Sequence, residues 1–346
     1  MAVEPSLETW KQLVDAAVRL KDLAPWRWMT EEAVFGVADP DADRTGFVSV
    51  MGMEGQHLAV AVYLGAEGLL GFVRLESGEL QDYPEGIFEV PHLQASFENR
   101  EHLDTRDRRI LKELGYRFRG RMAWPRFRAF RPGREPAWPG EADARFLAVA
   151  IEQVLDVAPR LAEDPSRLYG GKPGTFLHRV AKRVRGRLRW EDRYLPPPPM
   201  PALRIPIAVE RDLIEQVQGL PVGLNAVEVD AGLLPVPVGP RKGERFYPVL
   251  VLMADARTGY VYQAETLEPV EPYEHTYGQV PQVVFEGFVR MGQRPRELVV
   301  RPGIVASVFE AVAHDLRWLR VTVAEVLPAA GAAREALAAH LMRGPS

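Results

Sequence analysis

Apolar residues recur at intervals of three and four over residues 6–22, at Leu7, Trp10, Leu13, Val14, Ala17, Val18 and Leu20. That spacing predicts an amphipathic helix, with Ser6 as its N-cap. Pro25 ends it, and Pro25-Trp26-Arg27-Trp28 is expected to begin an extended stretch. The period then changes. Phe47 to Met53 and Leu58 to Tyr63 are β-rich runs on either side of Glu54-Gly55-Gln56 and predict a hairpin. Helical spacing returns over Gly65 to Leu75. His92 to Phe97 predicts a strand, and Asp104 caps a helix that runs to Leu114 and stops at Gly115. Tyr116 to Phe130 is expected to be extended, with arginine at alternating positions, and Glu141 to Leu161 carries a strong helical pattern.

Four consecutive prolines, Pro196 to Pro199, cannot continue a helix or sit in a central strand. They place a spacer at 196–204, between an N-terminal domain over 1–195 and a C-terminal domain over 205–346. Beyond the spacer, short strands are expected at Ile205–Val209 and Ala226–Asp230. A long apolar run from Phe246 to Ala254 follows, then a turn at Asp255 and a return strand over Tyr260–Ala264. Helices at Gly278–Met291, Gly303–Leu316 and Ala329–Met342 then alternate with strands at Glu297–Val300 and Leu319–Val323. The fold class is α+β in two domains, the second with a mixed sheet. Residues 246–254 are apolar at every position, which suits an interior strand covered on both faces and predicts a central place for it.

Composition narrows the chemistry. The 346 residues are enough for two ordinary cores, and the net charge of −4 gives the whole chain no general attraction to polyanions. With no cysteine, disulfides, thiolate nucleophiles and cysteine zinc sites are all excluded. The acidic N-terminus does not read as a signal peptide, and no apolar run reaches the roughly 18 residues that span a bilayer. A cytoplasmic protein without a membrane partner is expected. Of the 43 basic residues 37 are Arg and 6 are Lys, a bias that also reflects a GC-rich coding background. Oligomeric state leaves no mark in the sequence.

Two segments depart from the average charge. Residues 100–134 hold 12 Arg or Lys against 4 acids, and 178–193 hold 7 against 2. Aromatic residues lie among them. Cations interleaved with rings can hold phosphates and stack on bases, so Arg117, Arg119, Arg121, Trp124, Arg126 and Arg128 form a candidate nucleic-acid surface. The same alternation also describes one solvated face of a strand. The seven histidines are scattered, none paired at helical metal-binding spacing, and no metal site is expected. Tyr169-Gly170-Gly171-Lys172-Pro173-Gly174-Thr175 lacks Walker spacing, and Pro173 prevents a helix from starting at the lysine; it reads as a surface loop. No dinucleotide fingerprint or nucleophile elbow occurs, and no cofactor is implied.

The C-terminal order of elements resembles the RNase H-like fold of integrase and transposase cores. Val227-Glu228-Val229-Asp230 resembles the first strand of that family, with its acidic residue. Val249 to Gly259 resembles its second strand and turn. Arg296-Glu297-Leu298-Val299-Val300-Arg301 resembles the strand that ends in the second catalytic acid. That resemblance covers about residues 222–346. It implies metal-dependent chemistry on several carboxylates, for which Asp230, Asp255 and Glu335 are the candidates. Arg301 occupies the position where the family pattern has an acid. A guanidinium cannot become a metal ligand, and Arg301 is expected to point either at a carboxylate, Asp230 or Glu335, or out to solvent. The whole chain also resembles an uncharacterised bacterial family, through Pro25-Trp26-Arg27-Trp28, Val50-Met51-Gly52-Met53-Glu54-Gly55, Val62-Tyr63-Leu64-Gly65 and Ala123-Trp124-Pro125.

Three readings stand at this point. The favoured one is a non-catalytic binding protein with a degenerate RNase H-like domain that contacts nucleic acid. The others are a divergent metal-dependent nuclease or nucleotidyl-transfer enzyme, and a structural or protein-interaction module.

Overall fold

The computed structural model describes residues 3–79, 84–200, 202–240 and 244–342. The chain divides into two compact units. The first comprises residues 1–132 and 136–201, and the second 133–135 and 202–346. Each combines helices with a mixed sheet, so the protein is α+β.

The first unit begins with helix α1 (Leu7–Leu23), whose N-cap Ser6 accepts the Thr9 N–H. The Pro25 phrase is not extended as expected: Pro25–Arg27 form a 3-10 turn. Ala24 is left-handed there, and its N–H closes on Leu20, so the helix end is tied off before the proline ring can bring the chain into a strand. Strands β1 (Phe35–Ala38), β2 (Thr45–Met51) and β3 (Ala59–Leu64), helix α2 (Gly65–Glu76), strand β4 (His92–Glu98), helix α3 (Thr105–Glu113), strand β5 (Trp124–Phe130), helix α4 (Glu141–Glu163) and strands β6 (Phe176–Val184) and β7 (Arg187–Leu195) complete it. They form one seven-stranded sheet in the order β5-β4-β3-β2-β1-β6-β7. Every pairing is antiparallel except β1 with β6.

Strand alternation sorts the core. Val48, Val50, Val60, Val62, Leu93 and Ala95 share one cluster with α1 and α4, whereas Phe47, Ala61 and Tyr63 cluster with Phe72 of α2. The sheet is therefore covered on both faces. The extended stretch expected over Tyr116–Phe130 is shorter in the fold, because β5 starts only at Trp124. Left-handed backbone at Gly115, Gly120 and Met122 prevents a ladder from forming before that point. Tyr116 and Phe118 still stack their rings, and Arg117, Arg119 and Arg121 alternate with them, exposed.

The second unit contains helix α5 (Arg211–Gly219), which the hydrophobic pattern had not suggested, and no strand at 205–209. Strands β8 (Val222–Leu233), β9 (Val249–Asp255) and β10 (Val261–Leu267), helix α6 (Val280–Met291), strand β11 (Arg294–Val300), helix α7 (Ile304–Asp315), strand β12 (Val321–Val323) and helix α8 (Pro328–Met342) follow. The sheet order is β10-β9-β8-β11-β12. The pairs β10–β9 and β9–β8 are antiparallel, and β8–β11 and β11–β12 are parallel. The long apolar run is interior, paired on both sides, but the middle strand is β8 rather than β9. α6 lies close on one face: a Cβ added at Gly287 would fall 2.8 Å from Met253 Sδ. On the other face Leu250 and Leu252 pack with Ala333 and Leu337 of α8. Residues 133–135 join this unit through backbone bonds from Tyr247 to Gly133 and from Glu135 to Arg245, both 2.9 Å.

Candidate functional site

β8 is an apolar strand that carries two acids. Glu228 and Asp230 flank the single residue Val229, so both side chains leave the same face, toward α8. Each is only 4% exposed. A buried carboxylate needs partners, because desolvation of an unpaired charge costs several kcal/mol (~3 or more). Glu228 accepts the backbone N–H of Ala330 at 2.8 Å, one of the N-terminal amides of α8 that have no partner within the helix. The acid on the strand thus serves as a cap for a helix about 100 residues later in the chain (|i−j| = 102).

Asp230 is held by two guanidiniums. Arg301 Nη2 donates to Oδ1 at 2.7 Å, and Arg334 Nε donates to Oδ2. Arg301 follows the last residue of β11, and the parallel register Val300↔Val229 brings it beside Asp230. Arg334 is also anchored to the carbonyls of Gly232, Leu233 and Leu250 at 3.3, 3.0 and 3.3 Å. The Arg334 side chain is 16% exposed and that of Arg301 43%, so one cation is sealed in and the other reaches solvent.

The other two candidate acids do not join Asp230. Asp255 opposes Val227 in the β8–β9 register, whereas Asp230 opposes Leu252. The odd offset puts them on opposite faces of the sheet. Asp255 is occupied by its own turn: it accepts the N–H groups of Arg257 and Thr258 at 3.0 and 2.7 Å and the Tyr262 hydroxyl at 3.0 Å. The Thr258 amide foremost, then the Thr258 and Tyr262 hydroxyls, hold its carboxyl below the usual range. Glu335 lies exposed on the outer side of α8. Ala330, Ala333 and Leu337 define the inward stripe of that helix, and the residue within the stripe is Arg334. Among the described residues no group of three or more His, Asp or Glu has an arrangement that could hold a metal ion.

Sequence reasoning had missed Arg334 and Glu228 as partners in this cluster. Two signals pointed to them: two acids with period two on a strand that is otherwise apolar, and an arginine inside the 330-333-337 stripe of the final helix.

The basic segment of the first unit separates into three kinds of residue. Arg117, Arg119 and Arg121 are exposed, and no carboxylate pairs with them among the described residues. Trp124 is half-buried, with the Arg100 guanidinium 5.9 Å from its ring. Arg126 is half-buried too, its Nε without a hydrogen-bond partner. Arg128 is not a surface residue, and its place in the candidate interface is corrected: it is 3% exposed and donates to both oxygens of Asp107, at 3.0 and 2.8 Å. It also donates to Asp104, and Trp138 stacks on it 4.7 Å away. Burial opposes the charge of Asp107, but Arg128 and the Trp138 N–H outweigh it and hold the carboxyl below its ordinary value.

An apolar cleft of about 520 Å³ opens in the first unit beside α2, with Leu69, Val73, Phe176, Pro197, Pro198 and Met200 in its wall. Part of the proline run expected as a stiff extended spacer lines this cleft.

Residues 10–179 match a domain of unknown function, DUF7309, and residues 213–338 match a second, DUF6930. No curated protein matches the chain. No helix among the described residues is long and apolar enough to cross a membrane.

Proposed function

We propose that this protein is a non-catalytic binding protein, that its second unit is an RNase H-like domain with its acidic site closed, and that it contacts nucleic acid. The strand order β10-β9-β8-β11-β12, with three antiparallel strands followed by two parallel ones and helices between the later strands, supports the RNase H-like reading of the second unit. The observation that carries the loss of catalysis is the double pairing of Asp230 with Arg301 and Arg334. Two-metal chemistry requires carboxylates gathered around the ions. Here Asp230 is neutralised by two permanent cations, Glu228 beside it caps α8, and Asp255 and Glu335 face elsewhere. Contact with nucleic acid is supported by the exposed Arg117, Arg119 and Arg121, with which no carboxylate pairs among the described residues.

Magnesium- and manganese-dependent cleavage of DNA and RNA by the purified protein tests the catalytic part, with Asp230→Asn as control. No cleavage is expected. Cleavage that disappears in Asp230→Asn would show a working site. Fluorescence anisotropy on labelled probes tests the second part: Arg117→Ser/Arg119→Ser/Arg121→Ser is expected to weaken binding equally across sequences.

A further inference from the structure

The strongest unassigned feature is the β6–β7 ribbon at the edge of the first unit's sheet. β6 is registered with β1 only at Gly36↔His178 and Val37↔Arg179. The β6–β7 pairing continues well past those residues, to Val184↔Arg187. Every residue from Lys182 to Arg189 is exposed on both strands. An isolated two-stranded hairpin gains little stability of its own, and this one has no apolar side to pack: Val184 and Leu188 are each 39% exposed. Packing therefore does not account for its length.

The charge on the ribbon is one-sided in sign. Lys182-Arg183-Val184-Arg185-Gly186-Arg187-Leu188-Arg189 holds five cations and no acid. Two of the cations are used within the fold, Lys182 by Glu191 at 2.6 Å and Arg183 by Asp41 at 2.8 Å. Arg185, Arg187 and Arg189 have no carboxylate partner among the described residues. Arg185 and Gly186 both have positive φ, at 49° and 77°, which makes the tip a two-residue turn of the type that closes a hairpin tightly. Arg187 opposes Val184 and Arg189 opposes Lys182, so Arg187 and Arg189 stand on one face, about 7 Å apart by strand geometry. Arg185 lies in the turn that joins the two strands, next to Arg187 across the tip.

We infer that the β6–β7 ribbon is a contact for the sugar-phosphate backbone of double-stranded DNA, made through Arg185, Arg187 and Arg189. Three guanidinium forks on one short ribbon, two of them on one face at strand spacing, match a polymer of evenly spaced anions. An acidic protein surface offers carboxylates at irregular positions, usually interspersed with cations. A charged tip also opposes insertion into a lipid layer. The width of a two-stranded ribbon suits the major groove of B-form DNA, whereas the major groove of A-form RNA is too narrow to admit it. The inference rests on the nucleic-acid reading above and adds a second contact surface to that of Arg117, Arg119 and Arg121.

The test uses the full chain and fluorescence anisotropy with labelled duplex DNA, duplex RNA, single-stranded DNA and heparin. The variant is Arg185→Asn/Arg187→Thr/Arg189→Thr. Asn before Gly keeps the turn, and Thr keeps the strands, so the hairpin is retained and the melting temperature should match wild type. Three phosphate contacts predict a salt slope of about −2.7, a loss of affinity of about 40-fold between 50 and 200 mM salt. The variant should bind duplex DNA at least tenfold more weakly at 50 mM and lose most of that slope. Wild type should prefer duplex DNA over duplex RNA. Unchanged duplex-DNA binding in the variant, with weak binding in Arg117→Ser/Arg119→Ser/Arg121→Ser, would reject the ribbon and leave the nucleic-acid reading standing. No binding to any nucleic-acid probe at low salt would overturn both. Binding to heparin alone, or equal binding to duplex RNA, would overturn the assignment to duplex DNA.

Discussion

Asp230 accepts a hydrogen bond from Arg301 at 2.7 Å, across the seam between two parallel strands that are 71 residues apart in sequence. The same carboxylate is clamped from the other side by Arg334. The two arginines differ in exposure, 43% for Arg301 and 16% for Arg334, and that difference sets their relative weight. Removing one partner of a buried pair strands the other charge, while an exposed partner is replaced by water. Arg334→Ala should cost about 3 kcal/mol of unfolding free energy and Arg301→Ala about 1 kcal/mol. Urea denaturation measures both. Equal losses, or a larger loss at Arg301, would contradict the arrangement.

Arg128 and Arg117 give a second comparison. They lie in one basic stretch and read alike in the sequence, but Arg128 is buried against Asp107 and Arg117 is exposed. Arg128→Ala leaves a buried carboxylate unpaired and should lose about 3 kcal/mol. Arg117→Ala should change stability by less than about 0.5 kcal/mol. Chemical denaturation of the two single variants decides it, and comparable losses would refute the division.

His92 supplies a pH dependence. Burial pushes its pKa down to about 4, against the opposing effect of its hydrogen bond to the Val90 carbonyl. In the unfolded chain it titrates near 6.5. Between those values the unfolded state binds the additional proton, so the folded state is favoured above about pH 6.5 and loses that advantage as the pH falls toward 4. A shift of that size is worth about 3 kcal/mol. His178, whose pKa burial also lowers, acts in the same direction. His92 stacks on Phe130 with ring centroids 3.9 Å apart, so His92→Phe preserves an aromatic contact while removing the titration. Stability of the variant measured at pH 7.5, 5.5 and 4 should fall less steeply than wild type. Parallel curves would show that His92 is not the group responsible.

Gly36 and His178 sit across the β1–β6 pair. A Cβ at position 36 would approach three atoms of the buried imidazole ring to within 2.8 Å. Gly36→Ala must displace that ring from beside Phe47 and Phe176, and should cost about 2 kcal/mol, in the range for overpacked cores. A stability within a few tenths (~0.3 kcal/mol) of wild type would mean that the ring has somewhere to move.

Most of the element pattern was legible in the sequence, because helix and strand periods are local properties. The Ser6 helix, the hairpin over 47–63, the helix capped at Asp104 and the strand-helix alternation after residue 246 all follow from spacing and caps within a few residues. The class of fold follows in turn: two α+β units, the second with a mixed sheet. The absence of cysteine and the +8 imbalance over 100–134 were equally plain.

What only the tertiary structure decided is which residues meet. Arg117 and Arg128 differ because α3 places Asp107 beneath Arg128, whereas no carboxylate pairs with Arg117 among the described residues. Residues 133–135 pair with Arg245 and Tyr247 more than 100 positions away (|i−j| = 110 for Glu135 and Arg245), a partnership that no local period announces. Asp230 and Asp255 read as members of one acidic set, but an odd offset in strand register turns them to opposite faces. On α8, a rotation of one residue puts Arg334 inside and Glu335 outside, and the site changes from a metal ligand set to a closed ion pair. Local periodicity determines that a strand or helix forms and which residues share a face. The charge that waits on the other side of that face is supplied by a distant part of the chain, and it depends on register and helix rotation, which packing alone sets.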